Sequence, residues 1–415
     1  MISLNAKLAA LGAVVCLSLT PAVASATSTP EQIATATTAG AKYLRSLQET
    51  TGAIPGFGGD WALTSLASAG EAATNVRKKA KSTDARTWYR ELVGNAATWP
   101  EGASPPVSEY ERAALVAYAA GIDPARVSKT QNLLAQTVAR YQPASPGYYG
   151  EPGLFNGTVF GLLALEDAKT TAGAQRVPQT LLEQSTAVVL ANQHNDGGWS
   201  FAKVEGETKG LESPGEPDMT GAAIAALCGA GVSNTSTAIV NAKTYLKSLL
   251  VNATGAFESE FGTNTDSNAW AVEGLKACAI DPQSEFTTAA GKTPIDFLIS
   301  QQLKAGSFKY LPSEKTANEY ASQDAVRALA GAGFSATPPV PSEGLEQWFA
   351  EAGFSTSPSV QSMLTLVVEA PGSALKPCAV KIAPAATTTT LGAVLEAAKT
   401  AATPSGCVSS FSSEA

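Results

Sequence analysis

Six short segments of one composition recur along this chain at intervals of about fifty residues, and this limits its folds more than any other feature. They are DWALTSLASAG (60–70), SEYERAALVAYAAGID (108–123), NGTVFGLLALEDA (156–168), DMTGAAIAALCGAG (218–231), DSNAWAVEGLKACAID (266–281) and SQDAVRALAGAGF (322–334). Each opens on a polar or turn residue, continues as a helix of small residues with Leu or Ala, and in most copies ends in a Gly-containing stop. Between them lie six longer amphipathic stretches, near 31–48, 83–96, 125–141, 177–193, 235–251 and 293–303. One helix pair of this kind cannot bury its apolar faces, whereas six pairs stacked in a ring bury them all and leave no exposed end. Small-residue helices suit the inner ring, where backbones crowd. The expectation is an all-α fold, an α/α toroid of about six helix pairs over residues 27–335.

The connection ANQHNDGGWSF (191–201) shows how one pair passes to the next. Asn195-Asp196-Gly197-Gly198 ends a helix sharply, because these residues tolerate positive φ. Gln193 can bridge to a neighbouring turn while Trp199 packs over it. Weaker copies follow at Gln48 with Gly52-Ala53-Ile54, at Val251-Asn252 with Gly255-Ala256-Phe257, and at Gln302 with Gly306-Ser307-Phe308. The Gln193-to-Trp199 stretch resembles the QW repeat of terpenoid cyclases and the related protein prenyltransferases, whose shared fold is a toroid of paired helices. The resemblance spans roughly residues 30–335 and implies fold more than activity.

The flanks read differently. Residues 1–26 carry one charge, Lys7, then an apolar run from Leu8 to Leu19 and a small-residue Ala24-Ser25-Ala26 cleavage site, so a secretory signal peptide and an extracellular protein are expected. No later stretch approaches about 20 apolar residues, so membrane insertion after signal cleavage is not expected. ATPPVP (336–341) reads as a linker. Within 342–415, residues 359–370, 377–384 and 406–411 read as strands and 390–401 as a helix, a small α+β module. The chain has 28 basic and 36 acidic residues, with no basic cluster, which argues against nucleic acid as partner.

Four cysteines follow the signal segment, an even number for an oxidising compartment. Cys228 and Cys278 fall late in consecutive inner helices at nearly equivalent repeat positions. Of three connectivities, the favoured one pairs these two and leaves Cys378 with Cys407. No CxxC spacing suggests a metal.

The chemistry of the superfamily is harder to place. The Asp-rich acid motif DxDD of toroid cyclases is absent, as is the metal-binding DDxxD. The zinc of prenyltransferases needs Asp, Cys and His, and the single histidine, His194, sits in a turn where exposure is expected. A carbohydrate-active toroid would use a carboxyl pair, with Glu109, Glu111, Asp218, Asp266 and Asp324 as candidates. The simpler reading makes Asp218 and Asp266 helix N-caps and puts Glu111 and Asp324 in first turns. No catalytic residue and no metal is therefore assigned, and a non-enzyme is favoured.

The inner-helix starts present Trp61, Tyr110, Phe155, Asn156, Asp218, Asn268, Trp270, Tyr320 and Gln323 toward one mouth, a lining suited to a bulky, partly apolar ligand, with Trp61 and Trp270 as core fillers the competing account. The domain order and DMTGAAIAALC also resemble the cobalamin carriers transcobalamin and intrinsic factor. That resemblance implies a corrinoid between toroid and module, with Asp218, Thr220 and Asn268 in matching positions. The leading expectation is a secreted, non-catalytic binding protein for a cobalamin-like ligand, with no covalent cofactor. The alternatives are an extracellular toroid enzyme acting on isoprenoid or carbohydrate, and a surface interaction protein with a cell-surface partner. Paired carboxylates at the mouth favour the enzyme, an aromatic and amide lining the carrier, and a mouth plugged by residues 200–217 the interaction protein.

Overall fold

The computed structural model describes residues 27–56, 59–102, 104–141, 148–150, 154–171, 177–202, 214–338, 362–366 and 378–382. Six inner helices form a ring: α2 (Trp61–Ser68), α4 (Val107–Ala119), α6 (Asn156–Thr171), α8 (Pro217–Gly229), α10 (Thr265–Ala277) and α13 (Glu319–Ala330). Each packs on the next, and α13 packs back on α2, so the ring closes as an α/α toroid. Across that closing seam Ser65 Oγ donates to the Gln323 carbonyl at 2.9 Å. Outside stand α1 (Pro30–Ser46), α3 (Ala85–Gly94), α5 (Leu133–Val138), α7 (Gln179–Ala191), α9 (Thr237–Ser248) and α12 (Pro294–Ser300), with a short α11 (Pro282–Glu285) before α12. Among the described residues no helix is long and apolar enough to cross a membrane.

The glutamine turns join the outer layer by one repeated device. Gln193 Nε2 donates to the Gly197 carbonyl of its own turn and to the Ala238 carbonyl at the start of α9, both at 2.8 Å. Gln48 does the same with Gly52 and Val76, and Gln302 with Gly306 and Ala36. The last of these ties the end of the repeat array to its beginning. Trp199 is fully buried, and its indole N–H donates to the Val189 carbonyl at 2.7 Å. Gly197 adopts φ +96°, the left-handed region in which a side chain is strained.

Helices α8 and α10 approach most closely. A Cβ on Gly221 would lie 2.1 Å from the Trp270 carbonyl oxygen, and one on Gly274 2.1 Å from that of Gly221. Only glycines allow this contact. The Cys228–Cys278 disulfide, with Cα atoms 5.3 Å apart, joins the same two helices at their far ends, as their equal repeat phase leads one to expect.

One outer helix is shorter than expected. Instead of 125–141, only Leu133–Val138 is helical. Asp123 accepts from the Ala125 N–H and the Ser128 hydroxyl from Thr130, local bonds that compete with a helix, and Asn132 caps the one that forms. In the C-terminal region β1 (Ser362–Leu366) pairs antiparallel with β2 (Cys378–Ile382), Leu364 opposite Val380. The signal segment 1–26, residues 203–213 of the charged loop, linker residues 339–341, the expected helix 390–401, the strand 406–411 and Cys407 lie outside the described residues.

Candidate active site at the mouth of the ring

The lumen is built by the helical period. Positions i, i+4, i+7 and i+11 share one face of a helix, so each inner helix presents a single stripe to the ring axis. On α6 the stripe is Asn156, Phe160, Leu163, Asp167; on α8 it is Asp218, Ala222, Ala225, Gly229; on α10 it is Asp266, Trp270, Glu273, Ala277. Helix α13 adds Tyr320, Asp324 and Arg327, and α2 adds Trp61. Read down the axis, these stripes make layers: carboxyls at the mouth, an aromatic layer below, and a chamber lined by small residues at the far end.

In the aromatic layer Phe160 meets Trp270, Phe334 and Trp61 edge-on at 5.5, 5.6 and 6.5 Å between ring centres. Phe334, from the turn after α13, also meets Trp270 at 5.1 Å and closes the layer from beneath.

Above it, three aspartates converge from three consecutive inner helices. Neither Asp218 nor Asp266 is an N-cap, contrary to expectation. Glu216 and Asn264 hold the cap positions, Asn264 accepting from the Ser267 N–H at 2.8 Å, and each aspartate lies inside the first turn. A cap must stand just outside the helix, so both carboxyls are released from that role. Asp218 accepts from its neighbour Met219 N–H at 2.9 Å. Asp266 Oδ1 is buried without a hydrogen-bond partner among the described residues. Burial, and then the Asp324 carboxyl, push the Asp266 acid well above the ordinary carboxylate range, with Asp218 adding to the effect and Arg327 opposing it. Burial raises Asp218 as well, reinforced by Glu260 and Asp324.

Asp324, expected in a first turn, instead sits in the second turn of α13 and is buried. The Trp270 indole N–H donates to its Oδ2 at 3.0 Å, and Arg327 donates to its Oδ1. Arg327 is itself buried, reaches Glu273 Oε2 at 3.3 Å, and lies 4.9 Å above the Trp61 ring. Burial pushes Glu273 up to about 8 despite that arginine. One guanidinium thus faces two buried carboxyls, and burial raises the Asp324 acid too, with Arg327 and the Trp270 indole opposing the rise. Across the mouth, Arg112 bridges Asp60 at 2.6 Å and Glu109 at 2.5 Å. The Tyr310 and Tyr320 phenols are raised by burial, and both feel the Asp266 carboxyl.

The other expected site residues divide. Trp61 and Trp270 line the lumen half-buried, Asn156 opens α6 at the mouth, and Tyr320 stands on the rim. Gln323 is buried on α13, its Oε1 without a partner among the described residues. Tyr110 is buried between Trp99 and the Arg140 guanidinium, 4.0 Å above its ring. Thr220 and Asn268 are structural: Thr220 Oγ1 accepts from the Trp199 N–H, and the Asn268 amide pairs with both backbone groups of Phe257. His194, expected exposed, is buried, with Nε2 3.3 Å from Ser200 Oγ. Glu111 lies in the second turn of α4, buried beside Tyr149. Arg327, Glu273, Asp60 and Arg112 were missed; their signal was the in-phase spacing of successive inner helices. Among the described residues no His, Cys, Asp and Glu cluster suited to a metal occurs.

No protein-family model matches the sequence, and no curated protein does. Solved structures are similar in fold. The type II terpene cyclase MstE from Scytonema is 15% identical, with a TM-score of 0.49 over 74% of this chain and 99% of that one. Protein geranylgeranyltransferase-I from Candida albicans is 15% identical at 0.46, over 71% and 90%. A glycosidase in complex with glucose is 12% identical at 0.48, over 74% and 98%. The α/α toroid itself is seen in the closed ring of inner helices and the outer layer around it.

The expectation of a non-catalytic cobalamin-like carrier is corrected. Within this chain, Thr220 and Asn268, two of the three side chains that reading relied on, are tied to backbone inside the wall. What converges on the mouth is carboxyls.

Proposed function

We propose that the mouth of the ring is the active site of a secreted enzyme that cleaves a glycoside by acid–base catalysis, with Asp266 as proton donor and Asp218 as the base that directs water. The observation that carries this reading is the Asp266 carboxyl: half-buried at the mouth, one oxygen without a partner among the described residues, and its pKa pushed well above the ordinary carboxylate range by burial and by the Asp324 carboxyl. A general acid for a glycosidic oxygen needs such a raised pKa, and a second carboxyl nearby both sustains it and takes the complementary role. Asp324 is tied to Arg327 and Trp270, which leaves Asp218 the freer partner. The acidic mouth would stabilise the oxocarbenium-like transition state, and the polar rim of Asp60, Glu109, Arg112, Tyr310 and Tyr320 suits hydroxyl groups of a sugar.

The same acid over an aromatic floor supports a second reading, protonation and cyclisation of an isoprenoid. The four-ring layer of Trp61, Phe160, Trp270 and Phe334 favours it, since aromatic faces stabilise carbocations.

The test offers the purified protein aryl glycosides and polysaccharides in one series and polyprenyl substrates in another. Reducing-end release that falls about 10²–10⁴-fold in Asp266→Asn, with the fold intact, supports the glycosidase. Cyclised product with the same dependence shifts the assignment to the isoprenoid. Turnover untouched by Asp266→Asn removes the mouth as the site.

A further inference from the structure

Burial is the rule for the described phenylalanines of this chain, and the two exceptions both stand at the mouth. Phe261 is 68% exposed and Phe201 46% exposed, while the others lie in the core. Phe261 belongs to the connection that enters α10 just before Asp266. Phe201 is fixed between two other inner-helix starts. Its N–H donates to Glu216 Oε2 at 3.0 Å, at the cap of α8, and its carbonyl accepts from the Phe155 N–H at 2.9 Å, where α6 begins. Leu154, 38% exposed, lies beside it, since Leu154 pairs antiparallel with Ala202.

A closed turn presents Phe261 to solvent. Its N–H donates to Ser259 Oγ at 3.2 Å, Ser259 Oγ donates to the Gly262 carbonyl at 2.7 Å, and Asn264 Nδ2, at the cap of α10, donates to Ser259 Oγ at 3.0 Å. An apolar ring held out in water by a bonded turn is costly unless something covers it. The surroundings decide what does. Glu260, next to it in the chain, raises the Asp218 and Glu216 acids, so this turn faces the carboxyl-lined mouth. Glu258 and Glu260 are exposed on the same turn. Their field repels an anionic membrane or an acidic polymer. Two rings and a leucine interrupted by carboxyls also make no continuous apolar core of the kind a stable protein interface has. An uncharged sugar fits both features, laying its C–H face on a ring while its hydroxyls donate to the carboxylates.

We propose that Phe261, with Phe201 on the other side of the α8 start, is a stacking platform for successive units of an uncharged glycan chain, so that the mouth acts on a polymer and not on a single small glycoside. This rests on the glycosidase reading of the mouth. The bond to be cleaved lies at Asp218 and Asp266, and the chain continues from there across the lip, over the two rings. The platform binds and aligns the polymer, and the carboxyls carry the chemistry.

The test is retardation of the full chain in native gels that contain hydroxyethyl cellulose, soluble starch or galactomannan, with acidic polygalacturonate as the contrast. All variants carry Asp266→Asn, so that no polymer is cut during the run. At least one neutral polymer should retard the protein, and polygalacturonate should not. Phe261→Ala should weaken that binding about tenfold, the margin of one aromatic contact, and Phe261→Trp should restore it. Phe201→Ala should weaken it less. Val240→Ala, which removes an exposed apolar side chain from outer helix α9, should change nothing. No retardation by any neutral polymer, retardation indifferent to Phe261→Ala, or stronger retardation by polygalacturonate overturns the proposal. So does a concentration-dependent dimer in sedimentation that Phe261→Ala abolishes, which would make a second copy the occupant. Ring-dependent binding with no hydrolysis by the parent protein keeps the platform and removes the acid–base reading. Aryl glycoside hydrolysis that needs Asp266, without polymer binding, removes the platform alone.

Discussion

Helix α10 has two inner neighbours, and it is joined to them by opposite means. Toward α8 the contact is pure shape: Gly221 and Gly274 let two backbones touch, and a disulfide locks the far end. Toward α13 the contact is charge: Trp270 donates to Asp324, and Glu273 and Asp324 share Arg327 in a buried trio. A seam of glycines holds two helices at fixed spacing but presents nothing to a substrate. A seam of buried charges is less favourable to fold, yet it fixes a field, and the acid at Asp266 sits within that field. The ring is rigid on one side of α10 and chemically poised on the other.

Breaking the charged seam should have the largest effect. Arg327→Met removes the guanidinium that the buried Asp324 and Glu273 carboxyls share and should cost about 3–5 kcal/mol, read as a lower urea midpoint. Adding Asp324→Asn and Glu273→Gln should recover most of it, because a neutral trio has no charge to strand. A single variant as stable as the parent would mean that the guanidinium does not compensate these carboxyls. On the other seam, replacing Cys228 and Cys278 by Ser opens a loop spanning 50 residues and should cost about 2–4 kcal/mol, matched by adding reductant to the parent protein. Gly274→Ala places a methyl against the Gly221 carbonyl and should cost about 1–3 kcal/mol.

The ring was legible because its cause is periodic. Small residues at a fifty-residue interval, glutamines before glycine turns, and two cysteines at equal phase are all patterns along the chain. The mouth was legible only as residue types. Asp218 and Asp266 stood out, but a cap and a free first-turn acid differ by one or two positions, within the uncertainty of helix ends. Asn268 looked like a ligand group because sequence shows side-chain chemistry and not direction, and Thr220 entered only through the resemblance to cobalamin carriers. The trio was readable in principle: Trp270 and Asp324 lie 54 residues apart, and so do Glu273 and Arg327. In a ring of repeats that separation means neighbours at the same height. An acid and a base in phase on adjacent inner helices is the pattern to search for.

The effect that best separates the two seams is pH dependence. Glu273 titrates near 4.5 in an unfolded chain and near 8 in the folded one. Between those values the folded state keeps a proton that the unfolded state has lost. Its contribution to stability is therefore fully present below about 4.5 and is lost as pH rises through about 8. Asp266 and Asp324, raised in the same direction, add to the decline. Lys276 acts oppositely: burial lowers it from 10.5 to about 8, so its contribution is full only above the higher value and is lost as pH falls through the lower. Below about pH 7 that lysine is charged in both states and changes little, which leaves the carboxyls to set the slope. The urea midpoint of the parent should thus fall between about pH 5 and 7, and Glu273→Gln should flatten that fall. Gly274→Ala should shift the whole curve down with its slope unchanged, since it alters shape and no charge. A slope the same in parent and Glu273→Gln would show that this carboxyl titrates as if exposed, and with it the contrast between the two sides of α10 would fail.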